Sequence, residues 1–299
     1  MTFIIIRHFL NLKKLKKITK KHWQITLLLF FWITGAIVFY GSFIEPKNII
    51  VNQIKISINK TAQVENLKVA FISDFHLGPF KKEKFLEKII EKVSAQKPDI
   101  ILLGGDFIHQ KENEAKYFAP IKKMTNSALV FAVWGNHEYN VDYDDKSEFQ
   151  DRTTGLKKIF LETGIQVLNN EARLLTIHGA KFYLVGLDST DAGKGDYPKA
   201  TYNLDKQIPQ ILLAHSPDVV LLNPATADLI LSGHTHGGQI RLPLVGSLAI
   251  IPTYIGRSFD QGLFKFPTAQ LFITRGLGES GSRARLFCPP EISILNIDL

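Results

Sequence analysis

Eight polar side chains with metal-binding or proton-transfer chemistry lie just beyond short apolar runs of this chain. Asp74 and His76 follow LKVAFIS (67–73), Asp106 follows DIILLGG (99–105), and Asn136 with His137 follow LVFAVWG (129–135). His215 follows QILLA (210–214), and His234 with His236 follow ADLILSG (227–233). Imidazole mixed with carboxylate and amide oxygen suits divalent Mn, Fe or Zn, and suits Ca or a thiolate site poorly. Even seven such donors exceed one tetrahedral shell. They fit two ions that share a bridging ligand about 3.5–4 Å apart, the arrangement of two-metal phosphatases and nucleases. Manganese is the first expectation, with Fe, Zn or Mg as alternatives.

The apolar runs have the length of buried strands, and ligand sites of open α/β sheets gather beyond the carboxyl ends of strands. Five strand ends therefore converge on one place. In DFH and in HTH the one-residue spacing on an extended segment puts both ligands on the same side. Glycines at 78, 104, 105, 135, 233, 237 and 238 permit tight turns and close backbone approach. Between the first two runs, KKEKFLEKIIEKVSAQ (81–96) repeats Phe85, Ile89, Ile90 and Val93 at helical spacing and predicts a helix covering the sheet. A second helix is expected within 145–164, ended by Gly164. KFYLVGLD (181–188) and AQLFITRG (269–276) predict strands of a second sheet.

The 299 residues, 45% hydrophobic, suffice for one large domain once a tail is set aside. Of the 36 Lys and Arg, seven stand in the acid-free segment 1–22, and the remaining 29 are balanced by 28 acids. That near-neutral body is a poor nucleic-acid partner. Cys288 is the sole cysteine, so no internal disulfide forms. From Trp23 to Ile44 no side chain is charged, and a stretch of about 20 apolar residues spans a bilayer core as one helix. A cleaved signal peptide is the competing reading, against which stand the length of the run and the lack of a small-x-small cleavage site. The chain thus divides into a basic segment (1–22), an anchor (23–44), a linker with an entry strand (45–66) and a catalytic domain (67–299). The positive-inside tendency puts that domain outside the cytoplasm of a bacterial inner membrane, with the cytoplasmic face as the alternative. Phe3 to Leu12 with the nearby lysines is either an interfacial helix on anionic lipid or only a topology signal.

DFH, GGDF, GNHE, AHSPD and GHTH, spread over about Leu67 to Gln239, resemble the scattered pattern of the calcineurin-like metallophosphoesterases. The resemblance implies a four-layer α/β/β/α sandwich after the membrane helix. It implies one metal on Asp74, His76 and His236, a second on Asn136, His215 and His234, and Asp106 as their bridge. His137 then stands outside the metal shell as general acid toward the leaving oxygen, and hydroxide bridging the two ions attacks phosphorus in line. Asn136 offers an oxygen without adding negative charge, and Glu138 is expected to orient a neighbouring imidazole. GGDFIHQKEN lacks the acid and arginine of the protein Ser/Thr phosphatases.

GHTHGGQIRLPLVG and RGLGESGSRARLFCPPEI are similar to the membrane-associated bacterial branch that includes UDP-2,3-diacylglucosamine hydrolase-type proteins. That similarity implies a phosphodiester or pyrophosphate bond in a lipid-linked substrate, with no protein partner expected. A general phosphodiesterase or nuclease on the same metals, and a non-catalytic scaffold of the same fold, are the alternatives. His109 either lines the mouth of the site or sits on a surface loop. RGLGESG (275–281), with Arg275 and Arg283, is either a phosphate cradle or a turn between strands. LPLVGSLAIIPTYIGRSF (242–259) either admits acyl chains or forms core strands.

Overall fold

The structure, a computed structural model, describes residues 20–58, 66–141, 149–222, 224 and 227–299. Helix α1 (Lys20–Phe39) runs on through one π turn (Tyr40–Ile44) and a 3-10 turn (Glu45–Lys47). Residues His22–Lys47 form a continuous helix long and apolar enough to cross a membrane. Its rings and aliphatic chains, Trp23, Phe30 and Trp32 among them, face outward, as expected of an apolar helix that no protein layer covers. The segment 3–12 and most of the basic segment 1–22 lie outside the described residues.

Two sheets of six strands follow. The first holds β1 (Ile50–Ser57), β2 (Asn66–Ile72), β3 (Ile100–Leu103), β4 (Leu129–Ala132), β5 (Gln166–Val167) and β14 (Glu291–Asp298), in the order β1-β14-β2-β3-β4-β5. The second holds β6 (Glu171–Ile177), β7 (Ala180–Gly186), β8 (Gln210–Leu213), β9 (Leu229–Ser232), β12 (Gly262–Lys265) and β13 (Gln270–Ile273), in the order β12-β13-β9-β8-β7-β6. Strands β2, β3 and β4 pair in parallel, as do β7, β8, β9 and β13, so their carboxyl ends share one edge of each sheet.

Alternation along the strands builds the layers. In β2, Val69 and Phe71 join Leu102, Phe131, Leu213, Leu231 and Phe272 between the sheets, whereas Ala70 and Ile72 face the opposite way. That outer face is covered by α2 (Glu83–Gln96) through Leu86, Ile89, Ile90 and Val93, and by α3 (Thr154–Thr163) through Leu156 and Phe160. The outer face of the second sheet is covered by α4 (Tyr197–Ala200) and the 3-10 helix Pro217–Leu222. The result is the expected α/β/β/α sandwich, with a thin fourth layer.

The expected strands and helices are found, with shorter ends. Gly164 closes α3 in the left-handed conformation, and residues 145–148 of that expected helix lie outside the described ones. Three features differ from expectation. The five ligand-bearing strands are divided between two sheets, β2, β3 and β4 in one and β8 with β9 in the other. The carboxyl-terminal strand β14 inserts between β1 and β2, which makes residues 50–57 an edge strand of the domain's own sheet. Finally, of the two readings of 242–259, core strands are not what forms. The segment carries a two-residue hairpin, β10 (Arg241–Leu242) with β11 (Gly246–Ser247), and leaves Leu244, Val245, Leu248 and Ile250 exposed.

Candidate metal centre

The loops after β2, β3, β4, β8 and β9 meet in the cleft between the two sheet edges. All seven expected ligands are buried there: Asp74, His76, Asp106, Asn136, His215, His234 and His236. Their donor atoms form two groups that share Asp106. One is Asp74, His76, Asp106 and His236, the other Asp106, His215 and His234, and within each group the donor atoms lie within 4.8 Å of one another. Asp106 Oδ2 stands 3.4 Å from His76 Nε2 and 3.3 Å from His215 Nε2. Asn136 Oδ1 reaches the second group at 3.1 Å from His215 Nε2.

The backbone that delivers them is not extended strand. Asp74, His76, Asp106, His234 and His236 all have φ between 42° and 69°, the left-handed region that non-glycine residues seldom adopt. Each such residue costs on the order of 1 kcal/mol, which surrounding contacts must offset. The pairs in DFH and HTH therefore aim together through left-handed turns, not through strand alternation. Gly135 shows how tight the turn is, since a Cβ there would lie 2.1 Å from Asp106 Oδ1.

Hydrogen bonds fix which imidazole nitrogen faces the cleft. A carbonyl only accepts, so His215 Nδ1 donates to Gly104 O (2.8 Å) and His236 Nδ1 donates to Gly278 O (3.3 Å). Both turn Nε2 toward the centre, as metal-binding histidines require. Asn136 Nδ2 donates to Val141 O (2.6 Å), which turns its Oδ1 inward.

This arrangement fits divalent cations. His76 Nε2 and His236 Nε2 lie 3.1 Å apart, as do His215 Nε2 and His234 Nδ1, so basic lone pairs aim at common points. Asp74 Oδ2 is buried and has no hydrogen-bond partner among the described residues. Burial, then the neighbouring His137, holds His76 well below the usual histidine range, and burial with Arg285 does the same to His236; both stay neutral imidazoles. Burial alone would lower His215, but the Asp106 carboxylate overrides it and raises the ring to about 10. Burial likewise works to raise Asp106, yet His215, His137 and His76 hold it well below the carboxylate range. The Asp106 carboxylate thus favours positive charge beside it.

The remaining expected residues fall in three places. His137, partly open, donates from Nδ1 to His109 O (2.5 Å) and holds Nε2 4.0 Å from Asp106 Oδ2. His109 lines the mouth instead of an outlying loop, its ring 6.4 Å from that of His137 and 6.0 Å from that of His76. Glu138 departs from expectation: among the described residues its carboxylate has no imidazole hydrogen-bond partner and instead accepts from the backbone N–H of Gly135, Asp106, Phe107 and Ile108. It clamps the Asp106 turn to the Asn136 turn. Arg275 is held by Glu291 at 3.2 Å, and Arg283 lies over the Phe80 ring at 3.2 Å.

The segment 275–281 is a backing turn rather than an open phosphate cradle. Leu277 N donates to Ser73 O, and Gly278 N to Asp74 O. Gly276 has φ 66°, and a Cβ there would stand 2.6 Å from the Cβ of Asp74. Behind it lies Arg285, fully buried and absent from the sequence reading. Its guanidinium donates to the carbonyls of Gly278, Cys288 and Arg275. Only the paired glycines of RGLGESG hinted at this packing; nothing local marks Arg285. Stranding a buried carbonyl costs about 1–3 kcal/mol. Arg285→Met is expected to lower Tm by about 6–12 °C in a thermal melt of the full chain; a change within about 2 °C would refute this role.

Two sheets enclosing an Asp, His and Asn cluster, whose two groups of donors share one carboxylate, define a class. A family model for calcineurin-like phosphoesterases matches residues 67–238, more than half of the chain, and the protein belongs to this family of metal-dependent phosphoric ester hydrolases. Among its relatives, phosphodiesterase YaeI of Escherichia coli is 33% identical over 239 residues, covering 77% of this chain and 82% of YaeI. UDP-2,3-diacylglucosamine pyrophosphatase LpxG of Chlamydia muridarum is 30% identical over 285 residues, covering 79% of this chain and 85% of LpxG. A metallophosphoesterase of Helicobacter pylori is 31% identical over 297 residues, covering 95% of this chain and 72% of its own.

Proposed function

We propose that the protein is a single-pass, membrane-anchored hydrolase that cleaves a phosphodiester or pyrophosphate bond in a lipid-linked substrate resembling UDP-2,3-diacylglucosamine. The observation that carries this reading is the short path from the anchor to the metal centre. Arg285 N donates to Gly41 O at the end of the helix, while the Arg285 guanidinium and His236 Nδ1 share Gly278 O. Glu45 accepts from the backbone N–H of Phe287 and Cys288, which seats the helix exit on the same segment. A bond to be cleaved at His236 thus lies close to the membrane level. The similarity to LpxG supports the same substrate class.

Asp74, His76, Asp106 and His236 are assigned to one cation, Asn136, His215, His234 and the shared Asp106 to the other. Such a pair supplies an activated water and neutralises charge on the phosphoryl oxygens. His137 is assigned as the acid. Its Nδ1 proton is committed to His109 O, so Nε2 is the atom that protonates the departing oxygen. Glu138 acts at one remove by fixing the turns that carry Asp106 and Asn136.

The test is hydrolysis by the full chain in nanodiscs with manganese, of UDP-2,3-diacylglucosamine against unacylated UDP-N-acetylglucosamine. Release of UMP from the acylated substrate at least about tenfold faster is expected, since even one methylene in an apolar site shifts specificity by about 10–200-fold. Equal rates on the two would remove the lipid-linked reading. A reporter fused after Leu299 is expected to be active outside the cytoplasm; activity only inside would reverse the orientation.

A further inference from the structure

On the side of the metal centre where Phe80 meets His109, a groove of about 450 Å³ lies against the exit of the membrane helix. Ser42 and Pro46 of that exit form one wall. Lys82, Lys84 and Lys88 of the α2 region, Lys47 and Arg283 line the rest, with Phe80 on the side of His109. The lining also holds Lys81, Glu83 and Glu279, and Lys81 is spent on Glu279 at 2.7 Å. The groove is therefore cationic in sum. Phe80 joins it to the reaction site: Arg283 lies on one face of the ring, the His109 ring is 6.3 Å from it, and His109 is 6.4 Å from His137.

Lysines on the face of a membrane protein attract anionic headgroups, and they do so within a Debye length of the bilayer surface. A helix long enough to cross the bilayer brings Ser42 and Pro46 to that surface. Apolar side chains flank the same exit. Phe287, bonded through its N–H to Glu45, shares a depression with Leu242, Leu244 and Val245 of the exposed hairpin. Basic groups bordered by exposed apolar ones at a helix exit match the headgroup layer of a lipid leaflet.

We propose that this groove is a binding site for the phosphate-bearing headgroup of a membrane lipid, and that it holds the second anionic group of the amphiphilic substrate. The second clause rests on the phosphoesterase reading above; the first does not. Lys84 and Lys88 lie one helical turn apart on exposed positions, so replacing them leaves the core of α2 intact.

The full chain in zwitterionic detergent, without turnover, is titrated with phosphatidic acid, phosphatidylcholine or inorganic phosphate and followed by native mass spectrometry. The wild type is expected to retain one phosphatidic acid, at least about tenfold more tightly than either competitor. The double variant K84Q/K88Q is expected to lose about tenfold or more of that affinity, from roughly one charge-pair contact per lysine. Unchanged retention by the double variant would overturn the site. Inorganic phosphate binding as tightly as phosphatidic acid would overturn the lipid assignment in favour of a soluble anion. Hydrolysis of bis(p-nitrophenyl) phosphate by the wild type is measured in parallel; its failure strikes the phosphoesterase reading and leaves the binding result standing.

Discussion

Asp106→Asn is expected to remove both metal ions together and to cut hydrolysis of a simple phosphodiester by about three orders of magnitude. The shared carboxylate Oδ2 faces His76 at 3.4 Å and His215 at 3.3 Å, so one oxygen serves both groups of donors. An amide there keeps the shape but removes the negative charge that favours two cations in a small volume. The loss of several kcal/mol of transition-state charge stabilisation corresponds to that factor. Glu138 holds the turn through the backbone N–H groups of Asp106 and Gly135, which the substitution leaves in place, and the fold is expected to survive. Metal analysis of the variant checks this directly. One ion remaining at full occupancy would mean that Asp106 is not a bridge.

His137→Ala is expected to act differently, keeping both ions and losing about 10²–10⁴ in turnover. Its Nε2 is 4.0 Å from Asp106 Oδ2, its side chain is partly open to the mouth, and its Nδ1 is tied to His109 O. A ligand would be fully enclosed; a proton donor must reach the departing oxygen. The variant is expected to regain rate on substrates whose leaving group needs no proton, such as p-nitrophenolate esters. Turnover near the wild-type level on an alkyl diester, with metal intact, would take His137 out of the mechanism.

Much of this centre was readable because ligand identity and chain position are local properties. Acids, an amide and imidazoles at strand ends announce a metal site before any coordinate is known. The way they are aimed was not readable. Positive φ at Asp74, His76, Asp106, His234 and His236 accompanies close approaches between segments distant in sequence, such as Gly276 against Asp74 and Gly135 against Asp106. Glu138 illustrates the same limit: its neighbours in sequence suggest an imidazole partner, yet four backbone amides from two loops claim it. Strand β14 escaped notice because its pairing with β1 and β2 joins the far ends of the chain. Hydropathy left 242–259 open between two readings, since an apolar segment reads alike whether it is buried or exposed.

Anomalous diffraction from crystals of the detergent-solubilised full chain grown with manganese tests the paired-cation centre most directly. Two peaks about 3.5–4 Å apart are expected on either side of Asp106, one against His76 and His236 and the other against His215 and His234. A single peak, or two peaks that Asp106 does not touch, would contradict it.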